Sequence, residues 1–343
     1  YDGEALHLRG IRDSEDKGYK SVPDYSYTFN PVNWDTGAPV KPAIGTFYYG
    51  QDSKTKQTGV YTTARFSLAD PLALLVGGRV DWYDYRAINT FTGARSGYEV
   101  SREVTPYAGL VYDIDALHSL YGSWTSIFNP QSTVDRHGVL LDPVTGINME
   151  AGVKGEYFGG ALNASAAVFR IVQKNLATSL PLTQCGPGLL SCSEAAGEVR
   201  SDGFELSVSG ALTPRWQMSA GFTYNTAEYA KAQGSNAAGA RYAAERPSRL
   251  LRLSTSYRLS DAWRVGGALR AQNHIYKTNS AIRQGGYAVA DLNAGWQVNR
   301  QLDVRLSVTN VFDRSYYQAI SSIDSGNAFG DPRSAVLTAK YTF

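Results

Sequence analysis

The amino-acid sequence predicts an all-β protein, a transmembrane antiparallel β-barrel, on three observations. Apolar and polar residues alternate along most of the chain with the period of two of a half-buried strand. The connections between these segments alternate between short turns and long polar stretches. The last segment ends on the aromatic residue Phe343. Short turns on one side and long loops on the other are typical of an outer-membrane barrel.

The composition agrees with strands and excludes other classes. The chain contains 23 Tyr and 34 Gly, which favours strands, turns and interfacial aromatic belts over helices. A net charge of +2 gives no electrostatic case for a nucleic-acid partner. No apolar run approaches the ~18 residues of a transmembrane helix, a criterion that alternating barrel strands escape.

The first part of the chain is the least regular. Residues 4–13 alternate weakly. Residues 14–56 are polar and aromatic and contain several prolines, and they are too long for an ordinary connection. We therefore expect a long functional loop there, followed by regular strands.

From residue 58 onward the alternation predicts strands joined in pairs by tight turns. Asp70-Pro71 and Gly159-Gly160 are such turns, because Pro and Gly favour chain reversal. Polar loops are predicted at residues 87–103, 129–147 and 230–246. The predicted strands cover residues 59–68, 72–82, 104–114, 120–128, 149–157, 161–175, 204–212, 216–224, 251–259, 263–271, 287–298, 302–312 and 335–343. With the weak first segment the count is about 14, and an even count places the long loops outside the cell.

A soluble all-β protein is the alternative: a propeller, a solenoid or a large sandwich. The sequence shows no repeat at a fixed period, which disfavours propellers and solenoids. Charged residues recur on the polar face of the strands, where they suit a wet lumen or external solvent equally, namely Arg79, Lys154, Glu205, Arg252 and Arg270. The loop asymmetry and the terminal Phe343 favour the barrel.

Cys185 and Cys192 are the two cysteines of the chain, in the stretch QCGPGLLSC. Their close spacing around Gly and Pro predicts a disulfide-closed loop, which requires an oxidising compartment. Two free thiols are the alternative. No further Cys or His lies nearby, so we predict no metal site.

The end of the chain resembles the carboxy-terminal region of TonB-dependent outer-membrane receptors. The shared features are the turn Asn310-Val311-Phe312-Asp313, the pair Tyr316-Tyr317, the step Gly330-Asp331-Pro332-Arg333 and an alternating strand that ends in Phe343. Two further stretches resemble the ferric-siderophore branch of that family, Phe128-Asn129-Pro130-Gln131 and residues 150–158. The resemblance covers nearly the whole chain from about residue 58.

This resemblance implies a barrel of an expected 22 strands around a plug domain, which contacts the energy-transducing partner TonB. About 14 strands are present, so we expect residues 1–343 to be the carboxy-terminal part of such a barrel, with the plug and about eight first strands missing. An open sheet would leave unpaired edges in lipid. Phe343 and Tyr341 are expected to be recognised by the outer-membrane assembly machinery, and Pro332 and Arg333 to fix the start of the last strand.

The resemblance further implies a receptor of the Gram-negative outer membrane that binds a ferric siderophore on its extracellular side for TonB-energised import. Iron arrives as a chelate, so no cofactor and no metal ligand are expected. Extending the polar-face register to the outer strand ends gives the ligand candidates Tyr83, Tyr85, Tyr229, His274 and Tyr276. Loop aromatics add Trp34, Phe47, Tyr48 and Tyr49. Aromatic walls with a few arginines suit such chelates, although packing or interfacial roles would explain the same residues.

Two other functions remain open: a TonB-dependent receptor for haem, cobalamin or a glycan, and a passive porin-like barrel or barrel enzyme. The sequence has neither a G-x-S-x-G elbow nor an HExxH motif, so we predict no catalytic residues and no enzyme. Its four histidines, His7, His118, His137 and His274, lie in separate segments and are not paired as a haem receptor would require.

Overall fold

A computed structural model describes residues 5–17, 51–90, 93–187, 189, 191–231, 237–278, 280–321 and 326–343. In chain order the strands are β1 (Ala5–Lys17), β2 (Gln51–Ala69), β3 (Leu72–Asn89), β4 (Arg95–Asp113), β5 (His118–Asn129), β6 (Val144–Tyr157), β7 (Leu162–Ser179), β8 (Ser193–Thr213), β9 (Trp216–Tyr229), β10 (Arg249–Arg258), β11 (Trp263–Gln272), β12 (Ile275–Tyr276), β13 (Arg283–Gln284), β14 (Tyr287–Gln297), β15 (Leu302–Thr309), β16 (Tyr317–Ala319), β17 (Ala328–Phe329) and β18 (Ser334–Tyr341). A 3-10 turn covers Leu182–Gln184.

Fourteen of these strands form one antiparallel sheet in chain order, which confirms the predicted fold class and strand count. The pairs β12–β13 and β16–β17 form separate two-stranded sheets within the last two long connections. In the described part of the chain β1 pairs only with β2, and β18 only with β15, so the sheet is open. No helix of the described residues is long and apolar enough to cross a membrane.

Successive residues of each strand point to opposite faces of the sheet. Ala294 of β14 lies opposite Leu306 of β15, which lies opposite Leu337 of β18. This apolar rung belongs to what we call the outward face, where Leu337 is 71% exposed. One residue along, Arg305 lies opposite Thr338 on the inward face. A sheet-wide face of exposed large apolar side chains fits a lipid environment, and the polar face then lines the lumen.

The short and long connections lie at opposite ends of the strands. The short turns cover residues 70–71, 114–117, 158–161, 214–215, 259–262 and 298–301. In one of them Phe158, Gly159 and Gly160 all have positive φ angles, of 55°, 63° and 86°, which glycine adopts at little cost. By the usual orientation of such barrels the short turns face the periplasm and the long connections the cell exterior.

The prediction of a polar loop at residues 87–103 is wrong. β3 continues to Asn89 and β4 begins at Arg95, so residues 90–94 alone connect them. Likewise, β2 begins within the predicted 14–56 loop, of which residues 18–50 lie outside the described part. Strand ends that project beyond the membrane can be polar on both faces. Such ends lack the alternation of apolar and polar residues that indicates a strand in a sequence.

Aromatic side chains lie on the outward face near the short turns. The indoles of Trp263 and Trp296 stack with their centroids 5.5 Å apart, and Trp216 meets Tyr257 edge-on at 6.5 Å. The Trp216 Nε1–H also donates to Thr255 Oγ1 at 2.7 Å. Amphipathic rings at this level are typical of the girdle between hydrocarbon and headgroups.

The inward face is held by charged pairs. Asp81 is 3% exposed and accepts from Arg79 Nη2 at 2.6 Å and from Gln57 Nε2 at 3.1 Å. Farther along the sheet Arg264 bonds Asp303. Each carboxylate thus keeps donors around it, as a poorly solvated charge requires.

Candidate functional site

The first candidate region is a tyrosine cluster on the inward face, near the long-connection ends of β3 and β4. The ring centroids of Tyr83 and Tyr98 are 5.3 Å apart, and those of Tyr85 and Tyr98 are 6.4 Å apart. Tyr85 is 8% exposed, because the cluster packs against Leu140 and Val134 of the β5–β6 connection. This contact joins the β3–β4 hairpin to the neighbouring loop.

A β-bulge explains why Tyr98 belongs to this cluster. Asp81 pairs with Glu103, whereas Tyr83 pairs with Val100, so β4 carries one extra residue between these rungs. The extra residue reverses the alternation: odd-numbered residues of β4 face inward below the bulge and even-numbered ones above it. Tyr98 thereby reaches the face of Tyr83. Bulges commonly re-aim side chains near functional sites.

A second aromatic group links the β9–β10 and β11–β14 connections. Tyr229 meets Tyr242 edge-on with centroids 5.4 Å apart, and His274 stacks on Tyr276 at 6.2 Å. Ile275, between the latter two, is 1% exposed. The Tyr276 N–H donates to the carbonyl of Ala244 at 3.1 Å, which ties the two connections together.

The third group, the Arg270 cluster, is formed by Arg270, Tyr287 and Tyr316. The two tyrosine rings stack with centroids 4.3 Å apart, and both residues are 6% exposed. Arg270 Nη2 donates to Tyr316 Oη at 2.8 Å, and its guanidinium carbon lies 5.9 and 5.6 Å from the two ring centroids. These aromatic faces fix the orientation of the guanidinium group.

A second arginine lies directly beside this cluster. Arg252 of β10 is the register partner of Arg270 of β11, and both face inward. Among the described residues neither arginine forms an ion pair. Like charges directly opposite one another on a sheet are destabilising, so the pair favours an anionic or oxygen-rich ligand between them.

The structure brings some predicted candidates together and separates others. Tyr83 and Tyr85 share one cluster, and His274 and Tyr276 share another. Tyr229, on β9, is separated from β3 by five intervening strands. Trp34, Phe47, Tyr48 and Tyr49 lie outside the described residues.

The motif residues near the end of the chain build a turn. The Asn310 side chain is buried and bonds Arg314 and Asp331, while Arg333 donates its N–H to Asp313 Oδ1 at 3.0 Å. This main-chain bond lies directly before β18, and the role of Arg333 in fixing the start of that strand stays a prediction. By contrast Phe312, Tyr341 and Phe343 are exposed, and the rings of the last two are 5.1 Å apart. Pro332 lies between Asp331 and Arg333 in this turn.

Cys185 and Cys192 form a disulfide with a Cα–Cα distance of 5.6 Å. Within the loop that it closes, the Gly186 N–H donates to the carbonyl of Arg136 in the β5–β6 connection at 2.9 Å. In that connection Asp135 Oδ1 accepts hydrogen bonds from the backbone N–H groups of Val139 and His137. These bonds hold the pKa of Asp135 below its ordinary value. The described residues contain no group of three or more His, Cys, Asp or Glu that could hold a metal ion.

Sequence reasoning missed Tyr98, Tyr242, Tyr287 and Tyr316, and it placed Arg270 on the polar face without a site role. For Tyr287 a signal existed, because it lies on the inward register opposite Gln272. Tyr98 was hidden by the bulge, and Tyr242 and Tyr316 by their position in irregular connections.

The chain matches the sequence model of a protein family described as TonB dependent receptor-like, beta-barrel, over residues 9–311. It is 36% identical to the ferric-pyoverdine M114 receptor of Pseudomonas sp. (strain M114), over 94% of this chain and 38% of that receptor. It is 35% identical to the ferripyoverdine receptor of Pseudomonas aeruginosa, over 96% of this chain and 40% of that receptor. These proteins are receptors and not enzymes.

The fold comparison agrees. The crystal structure of the Pseudomonas aeruginosa outer-membrane ferripyoverdine receptor bound to ferripyoverdine matches with a TM-score of 0.81 and 33% identity, over 96% of this chain and 44% of that one. The chain spans about two fifths of the length of the curated relatives it matches. The paired strands, the outward apolar face and these matches show that the chain belongs to the outer-membrane β-barrels of the TonB-dependent receptor family.

Proposed function

We propose that this chain forms part of a receptor that binds a ferric siderophore on its extracellular side and imports it with energy from TonB. The Arg252–Arg270 pair is the observation that carries the proposal. Two cations face each other at the outer end of the inward wall, beside the stacked Tyr287 and Tyr316. An oxygen-rich chelate with negative charge would relieve their repulsion, and the rings would cover its flat faces.

The cargo that we propose is a ferric siderophore of the pyoverdine class. This rests on the receptors at 35–36% identity, which are named for ferric pyoverdine. Iron is cargo in this scheme and enters already chelated. The protein then needs hydrogen-bond donors and aromatic surfaces rather than metal ligands, and the inward face offers these.

We further propose that residues 1–343 supply the carboxy-terminal strands of the receptor barrel. In this arrangement the plug, through which TonB would act, belongs to another part of the receptor. Tyr341 is the last residue of β18, and Phe343 lies two residues beyond it. Their exposed rings would be accessible to the assembly machinery.

The test is uptake of radioactive iron by a strain that lacks its own ferric-siderophore receptors and expresses the complete gene product containing this chain. Ferric pyoverdine uptake should require both the receptor and TonB, while binding to cells should require the receptor alone. Unchanged iron uptake upon removal of the receptor would refute the proposal. Uptake that persists without TonB would instead show a passive porin-like barrel.

Variants connect the uptake to the site. Arg270→Ala removes one charge-assisted contact, so we expect siderophore affinity to fall about tenfold or more. Arg305→Ala is the matched control, since Arg305 faces inward nearer the short turns. Equal losses in both variants would remove the assignment of the site. Competition of haem, cobalamin or a glycan with ferric pyoverdine for the receptor tests the alternative cargoes. If one of these compounds binds to the receptor and ferric pyoverdine does not, that compound is the cargo.

A further inference from the structure

The outward face carries an arginine fork at the upper margin of its apolar band. Arg170 Nε donates to Asp202 Oδ1 at 2.6 Å, and Arg200 Nε lies 3.1 Å from Asp202 Oδ2. One carboxylate thus orients two guanidinium groups, whose side chains are 53% and 49% exposed. Within the described part of the chain, the remaining N–H donors of both groups have no acceptor, and the three groups together keep a positive charge.

Strand register fixes the height of this arginine fork relative to the membrane. Val168 lies opposite Phe204 in the last apolar rung of β7 and β8, and Arg170 lies opposite Asp202 in the next outward rung. On β8, Asp202 lies ten residues before Leu212, which is a rise of ~34 Å along the strand, or ~26 Å along the membrane normal at a strand tilt of ~40°. This matches the ~25 Å apolar band of outer-membrane barrels, so the fork lies at headgroup level on the extracellular side.

Two adjoining grooves descend from the arginine fork along the outward face. The upper one has a volume of about 380 Å³ and is lined by Arg170, Asp202, Met149 and Val168 among others. The lower one has a volume of about 590 Å³ and is mainly apolar. Both include Ala151 and Val168, so they form one continuous track. The small side chains of Ala151 and Ala166 line the track together with larger apolar ones, namely Leu120, Val153, Phe204 and Leu206.

The surroundings of the fork are basic. Arg200 has Glu228 as its register partner on β9, and Arg249 of β10 lies over the Tyr224 ring at 5.9 Å. Beyond the apolar band, β7, β8 and β9 together with Lys231 and Arg249 carry five basic side chains and four acidic ones, namely Arg170, Lys174, Arg200, Lys231 and Arg249 against Glu194, Glu198, Asp202 and Glu228. A net positive strip at headgroup level is complementary to anionic lipid.

We propose that the arginine fork and the track beneath it bind a phosphorylated, acylated lipid of the outer leaflet. The phosphate would accept hydrogen bonds from Arg170 and Arg200, and an acyl chain would lie in the apolar track. The occupant is a membrane lipid rather than a free ion, because a free phosphate would leave the adjoining apolar groove unused. This site is on the face of the sheet opposite the siderophore candidates.

The experiment uses the complete receptor in mild detergent, titrated with lipid A as a phosphorylated, acylated probe and followed by native mass spectrometry. Arg170→Ala with Arg200→Ala should weaken lipid A binding about thirtyfold, since each arginine near a charged lipid surface contributes about fivefold. Arg170→Lys with Arg200→Lys, which keeps both charges, should keep most of the binding. Ala166→Leu, which fills the track without changing charge, should also weaken it.

Arg305→Ala, on the inward face, is the control and should leave lipid A binding unchanged. Heat-modifiable mobility on gels and ferric-siderophore binding, both expected to be unchanged, show that the variants fold. Wild-type binding in the double alanine variant would overturn the proposal. Displacement of lipid A by equimolar inorganic phosphate, or equal binding of phosphatidylcholine, would also overturn it, since the first shows an ion site and the second a site without headgroup recognition.

Discussion

Replacing Asn310 should destabilise the turn that leads into the last strand. Asn310 is 2% exposed, and its Nδ2 donates to the carbonyls of Arg314 and Asp331 at 2.9 and 3.0 Å. Its Oδ1 accepts the Arg314 N–H at 2.8 Å. Its φ of 46° lies in the left-handed region, which Asn adopts more readily than Ala. One side chain therefore holds three backbone groups and a strained backbone conformation.

The magnitude follows from these contacts. Three hydrogen bonds at about 1 kcal/mol each give a loss of about 3 kcal/mol in Asn310→Gly, which keeps the left-handed conformation accessible. Asn310→Ala should lose about 1 kcal/mol more, because alanine pays for the positive φ. Asn163→Ala is the matched control: its Nδ2 makes one exposed bond of 3.3 Å, to the carbonyl of Gly160, so we expect a loss below about 0.5 kcal/mol.

The assay is urea unfolding of the complete receptor in lipid vesicles, followed by tryptophan fluorescence, with hydrogen exchange to locate the effect. The urea concentration at the midpoint of unfolding should be highest for Asn163→Ala, lower for Asn310→Gly and lowest for Asn310→Ala. Amide protection should be lost first in β18. Equal stability of the Gly and Ala variants would refute the backbone part of the reasoning. An Asn310→Ala variant as stable as the control would refute the hydrogen-bond part.

Three further predictions concern the connections. Reduction of the disulfide should release its eight-residue loop, whose closure contributes about 2.5 kcal/mol to local order, and limited proteolysis should then cut within residues 180–192 while the strands stay intact. Gly330→Ala would drive a Cβ into the Tyr316 ring, so we expect a loss of about 1–3 kcal/mol in unfolding free energy and weaker siderophore binding. The backbone N–H of Leu117, and then the His118 side chain, lower the pKa of Asp115; its stabilisation of that turn should be full above the unfolded-state pKa and lost as the pH falls through the lowered folded value. Asp115→Asn should abolish this acid dependence of hydrogen exchange in the turn, and an unchanged profile would contradict it.

The ends of the long strands are where the alternation of apolar and polar residues no longer predicts a strand. The alternation of β14, β15 and β18 was readable because lipid on one side and a wet lumen on the other demand opposite residue types. Above the membrane that demand ends, and residues 87–103 therefore resembled a loop although most of them are paired. The site was half visible for the same reason. Tyr83 and Tyr85 followed from the register, whereas Tyr98 required a bulge that no local pattern announces.

The sequence by itself determined the fold class, the approximate strand count and the alternation of short and long connections, and it favoured the disulfide over two free thiols. These depend on local periodicity, turn residues and short separations along the chain. Only the tertiary structure decided which side chains meet. The opposition of Arg252 and Arg270, the stacking of Tyr287 on Tyr316 and the arginine fork around Asp202 depend on pairing register and on loops packed across strands. A one-residue shift in register would turn each of these side chains to the other face, so their chemistry belongs to the assembled sheet.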